Sequence, residues 1–194
     1  MNGTLLLLLI FSGFTMNLVL QCALGIRGAA ESKVPVNRLT LIKSGLIFIS
    51  IIFLWFFFSR VVYSVLSGIF VYVLIFPISA IVYDSLEFFV FRFLLKKESH
   101  DESIINFPCG ITAAAVFISV NIAGSFLECV VLAFGFTSGI FLVNLIIREI
   151  RKRAALEAVP VFMRGKPLVL TAMGLLSLIF TTASLLIFRM IDAG

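Results

Sequence analysis

The stretch F-L-W-F-F-F, Phe53 to Phe58, settles the class of the chain. Six consecutive bulky apolar side chains have no place on a water-exposed surface, and they sit inside a mainly apolar run from about 40 to 60. Such a run matches the roughly 20 residues a helix needs to cross a hydrocarbon core. Outward from it, the rest of the chain has the same character. Of 194 residues, 61% are hydrophobic and 13% are charged, whereas a soluble domain carries about 25% charged residues. This is an integral membrane protein with almost nothing left over for a soluble domain.

Six stretches have the length and apolarity of spans: about 4–25, 40–60, 65–94, 105–122, 126–148 and 168–189. The third is long enough to tilt or to project beyond the membrane. Basic residues set the orientation. Arg27, Lys33, Arg38 and Lys43 follow span one; Arg92, Lys96 and Lys97 follow span three; Arg148, Arg151, Lys152, Arg153, Arg164 and Lys166 follow span five. These are 13 of the 15 Lys and Arg. By the positive-inside rule the three loops face the cytoplasm and both termini face outward, which implies a multi-pass protein of the cytoplasmic (inner) membrane. The net charge of +5 then needs no nucleic acid to explain it. The run R-E-I-R-K-R, Arg148 to Arg153, continues span five as a helix end; it reads as a topology anchor in contact with anionic headgroups or, as the alternative, as a docking surface for a cytoplasmic partner subunit.

The N-terminal run M-N-G-T-L-L-L-L-L-I-F has no basic residue ahead of it, so no cleaved signal peptide is expected. Residues 1–194 read as one membrane domain of two halves, 1–95 and 104–194. With three spans each, the halves must lie in opposite orientations, the arithmetic of an inverted repeat. Two corresponding places carry backbone punctuation. L-Q-C-A-L-G-I-R-G, Leu20 to Gly28, closes span one with Gly25 and Gly28; N-F-P-C-G-I-T, Asn106 to Thr112, opens span four with Pro108 and Gly110. Proline removes an amide donor and glycine loosens the backbone, so helices 1 and 4 are expected to be broken.

Each expected break also carries a cysteine, Cys22 or Cys109, while Cys129 in S-F-L-E-C-V-V reads as a small apolar residue of span five. Two cysteines are half of a four-thiolate cluster site, which a partner chain would have to complete. No CxxC pair, HExxH, Walker loop or Rossmann glycine pattern occurs, which argues against a zinc enzyme or a nucleotide site. The single histidine, His100, lies in a charged loop. Asp84 and Glu87, three apart in Y-D-S-L-E, share one side of span three; acids inside a membrane mark an ion or proton path unless basic neighbours pair with them. Glu128 opens span five near the outer surface.

The last third of the chain resembles the RnfA and NqrE family, small six-span subunits of the Rnf electron-transport complex and of the sodium-translocating NADH:quinone reductase. The likeness rests on the basic run followed by V-P-x-x-x-R-G (Val159, Pro160, Arg164, Gly165) and the text into the last span, within Ile147 to Phe180. Near the start, M-N-L-V-L-Q-C-A-L-G-I is similar to the family's pattern through Asn17, Val19, Leu20, Leu24 and Gly25. The resemblance implies two inverted three-helix halves with broken first and fourth helices. It also implies a partner of the RnfE or NqrD type with opposite orientation, together with other Rnf or Nqr subunits, and a [2Fe–2S] cluster to which each partner gives two cysteines. The chain itself would be a non-catalytic subunit of a translocating oxidoreductase. Carried onto this sequence, the second family cysteine falls on Cys109. The first falls on Arg27, after Leu24-Gly25-Ile26, and the nearest thiol is Cys22. Two alternatives stay open: a cluster-free scaffold subunit of such a complex, and a small inverted-repeat solute transporter.

Overall fold

The computed structural model describes residues 2–22, 38–62, 69–94, 108–156, 160 and 165–192. Among them every regular element is helical: α1 (Asn2–Ile10), α2 (Arg38–Phe57), α3 (Ile69–Phe89), α4 (Pro108–Ile122), α5 (Phe126–Leu156) and α6 (Lys166–Asp192). Five-residue π-helical turns extend the first three, Phe11–Thr15, Phe58–Val62 and Val90–Leu94.

Four helices are long and apolar enough to cross a membrane: Leu41–Val62, Phe70–Phe93, Phe126–Ala154 and Lys166–Arg189. They correspond to the second, third, fifth and sixth expected spans. The first and fourth are shorter apolar helices, Thr4–Thr15 and Gly110–Ile122, each reaching only about 20 Å. The bundle is therefore a multi-pass membrane protein of four full-length helices and two short ones among the described residues.

The sequence explains how the helices start and stay helical. Ser125 and Glu128 form a capping box for α5: Ser125 Oγ accepts from the Glu128 amide at 3.3 Å, and Glu128 Oε2 accepts from the Gly124 amide at 2.8 Å. Glu128 is thus spent on the helix start. Pro108 is the first described residue of α4, a position where a missing amide hydrogen costs nothing; Asn106 and Phe107 of the expected break lie outside the described residues. Gly165, at φ +87°, makes the left-handed turn into α6, which gives the glycine of V-P-x-x-x-R-G a backbone reason. Hydroxyls inside the apolar helices turn back on their own carbonyls, as Ser50 does to Leu46 at 2.7 Å.

The core lies between α2 and α5. Ile47, Ile51, Leu54, Phe58, Leu132 and Phe136 are fully buried there. α5 touches α1, α2, α4 and α6, and α2 touches α3, α4 and α5. The other two long helices are peripheral: 17% of the α3 and α6 spans is buried, against 44% for α2 and α5. Their outward faces, with Phe70, Phe76 and Phe93 on α3 and Leu175 and Leu178 on α6, have the apolarity that lipid requires.

Candidate functional site: the interrupted first helix

The first span stops half-way. Its helical part ends at Thr15, and Met16 leaves the helical region with φ −105° and ψ 43°. Residues Asn17 to Cys22 then follow as turns. The interruption comes earlier than the expected Cys22 to Gly28; Ala23 to Gly28, with Arg27 among them, lie outside the described residues.

Asn17 makes the break tolerable. Its Nδ2 donates to the Gly13 carbonyl at 3.1 Å, and its Oδ1 accepts from the amides of Val19 and Leu20 at 3.2 and 3.3 Å. Its own carbonyl accepts from the Gln21 amide at 2.8 Å. One buried side chain, 1% exposed, thereby satisfies three backbone groups that a broken helix would leave without partners. Leu18, Val19 and Leu20 are buried at 1%, 2% and 9%, so protein covers the irregular backbone.

The cover is α5. Its Gly135 and Gly139 are four apart and face Ser12, Gly13 and Asn17. A side chain at Gly139 would meet the Gly13 carbonyl at 2.7 Å and Asn17 Nδ2 at 2.9 Å, and one at Gly135 would overlap Ser12 Oγ. Small residues four apart let helices approach backbone to backbone. On the other side, Gln21 Nε2 donates to Thr181 Oγ1 at 2.7 Å and to the Ser177 carbonyl at 3.4 Å, which ties the turn to α6. Sequence reasoning overlooked the Gly135–Gly139 pair, although G-F-T-S-G was there to be read.

Cys22 is exposed at the end of this segment, and Cys109 is the second residue of α4. Cys129 is fully buried in α5 and is a core residue. No group of three or more His, Cys, Asp and Glu gathers among the described residues. His100 lies outside them.

The two acids of α3 differ in burial. Glu87, half-buried, makes an ion pair of 2.9 Å with Lys43 of α2, whose side chain is 8% exposed. The Lys43 ammonium also stands 5.4 Å from the centre of the Phe91 ring, a cation–π geometry. Glu87 thus has the basic partner on a neighbouring helix that its depth demands. Asp84, one turn earlier, is on the exposed side of α3.

Compared with models of known protein families and with curated proteins, the chain matches none.

Proposed function

We propose that this chain is a membrane subunit of an Rnf/Nqr-type ion-translocating electron-transport complex, built as two inverted three-helix halves of an all-α six-span fold. The observation that carries the reading is the pattern of neighbours. Exchanging α1, α2 and α3 with α4, α5 and α6 relates most of it: the short α1 packs on α5 and, through its π turn, on α6, while the short α4 packs on α2 and α3; the α4–α5 contact has no equal between α1 and α2. The central pair α2 and α5 maps onto itself, and the peripheral α3 and α6 onto each other. Short or interrupted helices at corresponding positions of two halves are where such folds place their sites. The termini face outward, the basic loops face the cytoplasm, and the membrane is the inner one.

In this reading Cys22 and Cys109 are the chain's half of a [2Fe–2S] site. Thiolates are the donors such a cluster takes, and the exposure of Cys22 leaves it open to a partner of the RnfE or NqrD type. The cluster, when held, supplies one-electron transfer; the chain's own residues fix the interrupted backbone and its thiols in place. Glu87, with Lys43, and Asp84 are the candidate groups of the ion route. Arg27 at the family's ligand position favours a second reading, a cluster-free scaffold that packs against the same partner.

The test is iron and acid-labile sulfide in the complex purified anaerobically with its native membrane partner, with an electron paramagnetic resonance spectrum after reduction. A [2Fe–2S] signal lost in Cys109→Ser, and then in Cys22→Ser, bears out the bridge. An intact complex without iron leaves the scaffold.

A further inference from the structure

We infer that the inner end of α5 carries a binding site for an anionic phospholipid. α5 has 31 residues and is about 46 Å long, against a hydrocarbon core of about 30 Å and a total membrane thickness of about 40–45 Å. With Phe126 at the outer boundary of the core and a tilt of about 20°, Arg148 and Lys152 lie about 31 and 37 Å below it, in the opposite headgroup layer.

These two cations complete one stripe. Phe134, Ser138, Phe141, Leu145, Arg148 and Lys152 recur at alternating steps of four and three, so they share one helix face. Phe134 is 58% and Leu145 40% exposed; Ser138, Arg148 and Lys152 are exposed, and Phe141 is half-buried. The Ser138 hydroxyl donates to the Gly135 carbonyl at 3.0 Å, which removes its polarity from the stripe. The acid of this turn, Glu149, borders the stripe three residues before Lys152, and its carboxylate is taken up by Arg153 at 3.3 Å.

An apolar strip at acyl-chain depth that ends in two cations at phosphate depth has the profile of one lipid molecule with a net negative head. A soluble acidic partner would use the cations and leave the strip idle. A zwitterionic lipid would use the strip and place its own cation beside Arg148. The site does not depend on the electron-transport reading.

The test titrates the full-length chain in detergent with phosphatidylglycerol and with phosphatidylcholine of the same acyl chains, read by native mass spectrometry. Each cation near a headgroup strengthens anionic lipid binding about fivefold, so R148Q/K152Q is expected to bind phosphatidylglycerol about 30-fold more weakly. Its phosphatidylcholine binding should not change. E149Q/R153Q, which has the same net charge as the wild type, should keep its affinity. Should the double variant not purify, R148Q and K152Q singly carry the same reading at about fivefold each. Undiminished phosphatidylglycerol binding in these variants overturns the site. So does a photoreactive leucine at position 145 that crosslinks, in native membranes, to a protein and not to lipid.

Discussion

Gly139→Ala tests the close approach that supports the interrupted helix. The added methyl would lie 2.7 Å from the Gly13 carbonyl oxygen, 2.9 Å from Asn17 Nδ2 and 3.3 Å from Gly13 Cα. Ordinary contact distances require the first helix to retreat by about 0.7 Å. Its obstacles are backbone and a short, hydrogen-bonded amide, so nothing can swing aside. Retreat stretches the Asn17–Gly13 bond, now 3.1 Å, and leaves a buried donor and acceptor short of a partner. Overpacking of this kind costs about 1–3 kcal/mol and an unmade buried hydrogen bond about the same, so the loss is about 2–6 kcal/mol. For a chain of this size that corresponds to a fall of roughly 10 °C in the midpoint. The assay is the fraction of monodisperse protein after heating in detergent, read by size-exclusion chromatography. Gly174→Ala is the control, because a side chain there has nothing within 4 Å. Alanine in that helix interior is worth about 0.5–1 kcal/mol in the stabilising direction. The two substitutions are chemically identical and should move the midpoint in opposite directions. Equal midpoints for the two variants would refute the close packing of α1 on α5.

Asn17→Leu, which keeps the branched shape and loses both ends of the amide, should destabilise by about 2–4 kcal/mol, because three buried backbone groups lose their partner together; Asn17→Asp should recover the contacts to Val19 and Leu20 and retain part of the loss, measured by the same heating assay. Lys43→Met leaves the Glu87 carboxylate without its partner and should cost about 3–5 kcal/mol, whereas Lys43→Met with Glu87→Met should return most of it, a non-additivity that a double-mutant cycle measures. A membrane-permeant maleimide should label Cys22 and spare Cys129 in a Cys109→Ser background, counted by intact-protein mass spectrometry, since Cys22 is exposed and Cys129 is buried in α5. Gln21→Leu removes the bond to Thr181 and should loosen the segment without unfolding the bundle, seen as faster hydrogen exchange at residues 18–21 with a midpoint within about 1 kcal/mol of wild type.

The membrane class and four of the helices were legible because apolar length alone specifies them: residues 40–60 and 126–148 need no partner to be recognised, and R-E-I-R-K-R does continue α5 to Leu156. The place of the break was not legible. Gly25 and Gly28 drew attention as backbone punctuation, but the helix ends earlier, at Thr15, where the sequence F-S-G-F-T-M-N has no proline. What ends it is tertiary. Asn17 offers the backbone an alternative set of bonds, and Gly135 and Gly139, more than a hundred residues away, give that alternative room. The role of Asp84 and Glu87 was half legible for a related reason. Their spacing puts them near one another on α3, but only the packing of α2 brings Lys43 to 2.9 Å from Glu87.

An interrupted helix in a membrane has to justify its cost. The twelve-residue apolar helix Thr4–Thr15 covers about 18 Å of a core of about 30 Å, and the next residues lie at depths where lipid offers no hydrogen bonds. Continuing the helix would satisfy each amide within the segment, and Leu18-Val19-Leu20 is apolar enough to do so. The chain instead spends a buried asparagine, two glycines that admit no side chain and a glutamine bonded to α6 on keeping this stretch irregular. None of these is needed to hold an ordinary span. Irregular backbone at depth persists where it is enclosed by protein or lines a cavity, and here Asn17 to Leu20 are enclosed on the α5 side while Gln21 and Cys22 are exposed. The break therefore presents polar and thiol groups at one edge of the bundle and seals itself on the other.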